Sequence, residues 1–277
     1  MPRSVESLMP SYDPGVTSTS SNEPSPERAA RPPMTLAIDI GGTGVKASVL
    51  DAEGRKVVKR VRARTPYPCP PPVLVRALDR LTYELPGWDR VSVGFPGIVR
   101  DGRVLTAPNL STRNGPGTRV SPKLVDAWAR YPLAADLEGR LGKPTRLCND
   151  ADMQGLAVIG GEGLEMVVTL GTGLGTSLFL DGSPMPHLEL ALIPFHGRGT
   201  FQDQLGNQAR RRIGNRRWSK RVLRAVETFD TLLQFDRLYV GGGNATKLRV
   251  DLGHRAQIVD NTAGILGGIK LWEIDAV

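Results

Sequence analysis

Histidine, cysteine and aromatic side chains are scarce in this chain, whose 277 residues hold three histidines, two cysteines and 5% aromatics. Two cysteines, Cys69 and Cys148, are too few for a disulfide framework and have no metal-ligand spacing, so a reducing cytoplasm fits best. No apolar run is long enough to cross a bilayer, which excludes helical membrane spans and a membrane partner. Residues 1–33 lack the apolar centre of a signal peptide and are rich in Ser, Pro and Glu. They read as a disordered leader, and a start at Met34 would remove nothing the fold needs. Acids are missing from one place in particular. Arg210, Arg211, Arg212, Arg216, Arg217, Lys220 and Arg221 put seven cations into twelve residues without an acid, and carry nearly all of the net charge of +8.

What the chain does have is glycine, 32 in all, on an ordinary background of 40% hydrophobic and 23% charged residues. The length suits one large or two modest domains. The run Ala37-Ile38-Asp39-Ile40-Gly41-Gly42-Thr43-Gly44-Val45-Lys46 is an apolar strand that turns on glycines into a second strand. A turn without Cβ atoms lets backbone N–H groups approach a polyanion, and Thr43 and Lys46 add a hydroxyl and a cation beside it. Asp39 is placed to hold a hydrated Mg²⁺, which takes only one or two carboxylates and keeps several waters. A tight hairpin with no ligand, in which Asp39 is a turn former, is the competing reading.

Further strands are expected over 45–50, 56–61, 91–95, 145–147, 167–170, 177–180 and 237–240. Helices are expected over 73–84, 133–141, 222–233 and 261–272, with more across the basic segment, and a hairpin over 98–105 turns at Asp101-Gly102. The layout strand, glycine turn, strand, short turn appears twice. Its second copy is the turn Gly171-Thr172-Gly173-Leu174-Gly175. Two such halves predict two similar α/β lobes around a nucleotide-like ligand.

With both glycine turns, Asn149-Asp150 and Gly241-Gly242-Gly243 together, residues from Thr35 onward resemble the ROK family of sugar kinases, and within it the polyphosphate glucokinases. Asp260-Asn261-Thr262-Ala263-Gly264-Ile265-Leu266-Gly267-Gly268 resembles their final helix. The resemblance implies an α/β, two-lobed ribonuclease H-like (actin-like ATPase) fold, with a mixed sheet in each lobe and a cleft between them. The lobes would span 34–160 and 161–261, with a C-terminal helix at 262–274 packing back on the first. It further implies a homodimer, Mg²⁺, and no zinc, because the zinc-binding His and Cys cluster of many relatives is missing.

The resemblance makes Asp150 the general base that takes the proton from the attacking sugar hydroxyl, a task that an ionised carboxylate can perform. A cap on a helix beginning at Ala151 is the bland alternative. Asn109, Asn149, Asp150 itself and Glu189 resemble the sugar ligands. Gly41, Gly42, Thr43 and Lys46, then Gly171, Thr172 and Gly173, resemble the two phosphate loops, and Gly242 and Gly243 the wall against which a nucleoside packs. Relatives commonly carry Glu-x-Gly-His where this chain has Glu189-Leu190-Ala191-Leu192. His187 would share a strand face with Glu189 and replace the missing ligand, but a surface histidine is the more ordinary reading.

The cations Arg210, Arg211, Arg212, Arg216 and Arg217 fit a track for inorganic polyphosphate, which has charge at every residue and no base to recognise. A solvated helix face ranks second and nucleic acid third. The expected activity is transfer of a phosphoryl group from polyphosphate, ATP or both to the 6-hydroxyl of glucose or a close hexose. A non-catalytic sugar- or polyphosphate-binding regulator that retains the fold is the alternative.

Overall fold

The strands of the computed structural model assemble into two five-stranded mixed sheets with one shared arrangement. In chain order the first set is β1 (Thr35–Ile40), β2 (Gly44–Leu50), β3 (Val61–Arg64), α1 (Pro71–Thr82), β4 (Arg90–Phe95), the short hairpin β5 (Val99–Arg100) and β6 (Arg103–Val104), α2 (Pro122–Trp128), α3 (Leu133–Leu141), β7 (Thr145–Asn149) and α4 (Asp150–Leu156). The second is β8 (Leu164–Leu170), β9 (Leu174–Leu180), β10 (Ser183–Pro184), α5 (Phe201–Leu205), α6 (Asn207–Ile213), α7 (Asn215–Leu233), β11 (Arg237–Gly241), β12 (Ala256–Ile258) and α8 (Gly267–Lys270). Residues 31–195, 197, 199–259 and 266–274 are described. Pro32–Val277 forms one unit and Met1–Arg31 another, of which only Arg31 is among the described residues.

The first sheet runs β3-β2-β1-β4-β7 and the second β10-β9-β8-β11-β12. In each, the first three strands are antiparallel and the last two join in parallel. β1 is buried on both faces along most of its length, in keeping with its mainly apolar sequence, and Leu36, Ile38 and Ile40 centre one core with Val91, Val93 and Phe95. Met166, Val168 and Leu170 of β8 centre the other, covered by Trp218, Val222 and Phe229 of α7. These helical positions recur at the spacing that puts one apolar stripe on α7.

Several expected elements differ. The third strand begins at Val61 rather than 56, because the Asp51 side chain accepts from the N–H groups of Glu53 and Arg55 and holds a polar loop there. Only an isolated bridge between Leu50 and Lys56 remains of the expected pairing. β3 is an edge strand carrying Arg62 and Arg64 on its exposed positions, which protects an open edge from further pairing. The stretch before Leu133, read as a loop up to Pro122, contains α2, with Pro122 in its first turn and Leu124 and Trp128 buried. Of the expected final helix, residues 260–265 lie outside the described residues. α8 and the residues after it lie on the first sheet, where Trp272 Nε1 donates to Ser92 Oγ at 2.8 Å.

Candidate functional site

The first glycine turn is held from behind by hydroxyl groups. Gly41 N–H donates to Gly44 O at 2.9 Å and closes the turn. Thr65 Oγ1 donates to Gly41 O at 2.6 Å, and Tyr67 Oη donates to Gly42 O at 2.6 Å. The carbonyl side of the turn is thereby occupied. Among the described residues no protein acceptor takes the N–H of Gly42 or Thr43, the side that an anion would use.

Asp39 and Lys46 face each other across β1 and β2, with Lys46 Nζ 3.0 Å from Asp39 Oδ2. Lys46, expected to reach a phosphate, lies on the aspartate instead, because the antiparallel register makes the two residues direct neighbours. Among the described residues no three His, Cys, Asp or Glu gather as a metal cluster. Mg²⁺ needs fewer. Asp39 keeps one carboxylate oxygen clear of Lys46, and its charge is felt at Asp150, so this donor set fits a cation held mainly by water and phosphate.

Asp150 stands at the start of α4. The capping role that competed with catalysis belongs to the residue before it. Asn149 is the N-cap, and its side chain accepts from Ala151 N–H at 2.7 Å and from Asp152 N–H at 3.4 Å. Its amide nitrogen donates to Gly97 O at 3.0 Å and Phe95 O at 3.4 Å. Asn149, expected among the sugar ligands, therefore has its hydrogen-bonding positions spent on the frame. Asp150 is freed from that task, and among the described residues only Ala151 N–H reaches its carboxylate, at 2.9 Å from Oδ1.

The start of α4 lies between the two sheets. A Cβ on Gly94 of β4 would come 3.2 Å from Asp150 Cα, and one on Gly175 of β9 would come 3.3 Å from Ala151 Cβ. Burial, then the charge of Asp39, pushes the Asp150 carboxyl up to about 7, against the opposing pull of Ala151 N–H and His187. A carboxylate poised there can accept a proton near neutral pH.

His187 is a buried residue in a loop, not a surface one, and it is not on a strand. Its Nδ1 lies 2.9 and 3.0 Å from the two oxygens of Asp152, and its Nε2 lies 3.8 Å from Glu189 Oε1. Burial pulls the imidazole toward its neutral form, but Asp152, with Glu189 and Asp150 behind it, outweighs this and raises its pKa. Asp152 was not singled out in the sequence. The available signal was an acid in the first turn of the helix that Asn149 caps. Leu192, where relatives carry a histidine, is exposed. Asn109 is half-buried, and among the described residues its side-chain amide has no protein partner.

The second turn also closes through its first glycine N–H but is one residue tighter, Gly171 N–H donating to Gly173 O at 3.0 Å. Here backbone and amide groups hold it from behind. Asn207 N–H reaches Gly171 O at 3.1 Å and Thr172 O at 3.2 Å, and Asn244 Nδ2 donates to Gly171 O at 2.9 Å. Gly242, at φ +90°, presses so closely on this turn that a Cβ would come 2.3 Å from Leu170 O. The structure thus brings Thr172, Gly242 and exposed Gly243 into one place and starts α6 there. Arg211, Arg212, Arg216 and Arg217 are exposed along α6 and α7. Arg210 departs from that track. Its guanidinium is tied to Asn215 Oδ1 at 2.8 Å and Asn207 Oδ1 at 2.9 Å, so it joins the two helices instead of facing solvent.

The ROK family model matches residues 35–186, a stretch that includes both turns, Asn109 and the Asn149-Asp150 pair. The chain belongs to the ROK family. It is a phosphotransferase. This ROK chain is similar to the inorganic polyphosphate/ATP-glucomannokinase of Arthrobacter sp. strain KM, with 30% identity and a TM-score of 0.71 over 88% of this chain and 100% of that one. It is 27% identical to the polyphosphate glucokinase of Mycobacterium tuberculosis strain H37Rv, over 87% of this chain and 94% of the relative. The ROK family glucokinase of Streptomyces griseus, solved with glucose and AMPPNP, shares the fold at 20% identity, with a TM-score of 0.67 over 86% and 98% of the two chains. His187, Glu189 and the cationic helices of this ROK chain all fall beyond the part that the family model matches.

Proposed function

We propose that this chain is a hexose kinase that moves a phosphoryl group from polyphosphate, ATP or both to the 6-hydroxyl of glucose or a close hexose. The observation that carries the reading is Asp150 itself, a carboxylate at the start of α4, flanked by both sheets, relieved of capping and with its pKa near 7. In this account Asp150 takes the proton of the sugar hydroxyl as the hydroxyl oxygen bonds to phosphorus and the donor's bridging oxygen leaves with its electron pair. The N–H groups of Gly42 and Thr43 bind donor oxygens on one side, and the turn at Thr172 and Gly173 does so on the other. Mg²⁺ bound near Asp39 would supply charge neutralisation of the phosphates. Asn109 and Glu189 hold sugar hydroxyls, with Glu189 steadied by the Asp152–His187 pair.

The two sheets make natural lobes, 34–160 and 161–261, that close on the substrates and exclude water. The exposed cations of α6 and α7 start beside the second turn, which suits a polyphosphate chain running out of the site. Similarity to a polyphosphate glucokinase and a polyphosphate/ATP-glucomannokinase supports that donor class. Among the described residues no helix is long and apolar enough to cross a membrane, in keeping with a cytoplasmic enzyme. As in the family resemblance, a homodimer is the proposed assembly.

A coupled assay for glucose 6-phosphate, run with ATP and with polyphosphate, tests the reading. Turnover with either donor is the expected result. Glucose or polyphosphate binding without product would instead establish the regulator reading, which exposed Leu192 favours.

A further inference from the structure

Tyr67 belongs to no motif, yet its hydroxyl touches both halves of the proposed reaction. It sits between β3 and α1, donates to Gly42 O at 2.6 Å and lies 3.1 Å from Asn109 O. A phenol has a single proton to give, so the two carbonyls share it, and movement of either changes the bond to the other. The two loops also touch at this point. A Cβ on Gly42 would come 2.6 Å from Pro116 Cγ and 3.0 Å from Asn109 Cβ, and one on Gly115 would come 3.5 Å from the Tyr67 ring. Burial, then the neighbouring Cys69, pushes the phenol up to about 12, which keeps that proton in place at neutral pH.

We propose that Tyr67 is a positioning residue through which acceptor binding at Asn109 tightens the donor turn, and donor binding tightens the acceptor site. The inference rests on the reading of Gly42 and Thr43 as donor ligands and Asn109 as a sugar ligand. The peptide joining Gly42 to Thr43 is planar and trans, so its C=O and N–H point in opposite directions. Fixing the Gly42 carbonyl on Tyr67 therefore aims the Thr43 N–H at the opposite side, where the donor phosphate would lie. A sugar that restrains Asn109 restrains its carbonyl, and through the shared phenol proton it restrains this peptide. By linkage the effect must be equal in both directions.

The test is calorimetric titration of Mg-ATP and of tripolyphosphate into the full chain, with and without saturating 6-deoxyglucose, which has no 6-hydroxyl and cannot react. The sugar is expected to tighten donor binding by about fivefold or more. Tyr67→Phe keeps the ring and removes the proton, and should bring that factor to within about twofold of one. Thr65→Val frees only the Gly41 carbonyl, so it should weaken the donor and keep the factor. In the wild-type protein, 6-deoxyglucose alone should slow amide exchange in the peptide containing residues 41–44, a readout that needs no variant to fold. A factor of one in the wild type, an unchanged factor in Tyr67→Phe, or unaltered exchange at 41–44 overturns the coupling. Each of these is read without chemistry, so failure of the kinase reading shows separately, as absence of glucose 6-phosphate.

Discussion

The two glycine turns sit at the same place in two sheets of the same strand order, yet they are held in different ways. The first is braced by the hydroxyl groups of Thr65 and Tyr67, which lie outside its sheet, and it abuts the Asn109 loop. The second is braced by backbone groups and Asn244, with Gly242 pressed onto Leu170 and α6 springing from it. A side-chain brace yields by a rotamer change at modest cost, whereas a backbone contact in a packed interior does not. Under the proposed function, the first turn is therefore suited to respond to the sugar and the second to remain a fixed wall that hands the donor to the basic helices.

Alanine at Gly242 and at Gly42 should break this comparison most visibly. Gly242→Ala combines φ +90° with a backbone oxygen 2.3 Å from the new Cβ, and should cost about 3 kcal/mol, read as a fall in Tm. Gly42→Ala meets only the Pro116 and Asn109 side chains and should cost about 1 kcal/mol, while raising KM for the sugar more than for the donor. Equal losses of Tm would deny that the turns differ in stiffness.

Next in size is the basic track. Replacing Arg211, Arg212 and Arg216 with glutamine should raise KM for long polyphosphate about tenfold and leave KM for ATP within about twofold. Equal effects on the two donors would remove the track. Arg210→Gln is expected to act on thermal stability, since that guanidinium is bound to Asn207 and Asn215.

A smaller effect concerns pH. Protonated Asp150 cannot act as base, so kcat/KM should rise with pH through a midpoint near the group's value of about 7. His187 lowers that value, so His187→Gln should move the rising limb to higher pH; a shift to lower pH would contradict the arrangement. The smallest effect is Thr65→Val, which removes one hydrogen bond to Gly41 O and should cost about 1 kcal/mol in Tm measurements.

Much of the fold was legible because its signals are local. Mainly apolar runs ending in glycine turns mark β1 and β8, and their repetition announces the second sheet. α2 was hidden because its seven residues bury only Leu124 and Trp128, leaving little periodicity to see. β12 was missed because its three residues, one half-buried and two exposed, carry no strand pattern. The candidate site was legible where residue type alone suggests a chemistry, as the carboxylate of Asp150 suggests a base. It was not legible where contact across the chain decides. His187 is buried because Asp152, 35 residues earlier, meets its imidazole, and no spacing in the sequence reports that meeting. Lys46 and Asn149 have protein partners that the sequence does not report, since a cation or an amide near a turn can serve the protein as readily as a ligand.

The most direct measurement is turnover of Asp150→Asn with glucose and its better donor, beside its Tm and its affinity for 6-deoxyglucose. Folding raises the Asp150 pKa from 3.8 to about 7, so this group's contribution to stability falls as pH climbs between those values and stays lowered above them. The asparagine variant should accordingly be no less stable than wild type at pH 8, with sugar binding within about threefold and turnover lowered by about a hundredfold or more. Turnover within about tenfold of wild type in a folded, sugar-binding variant would show that another group takes the proton.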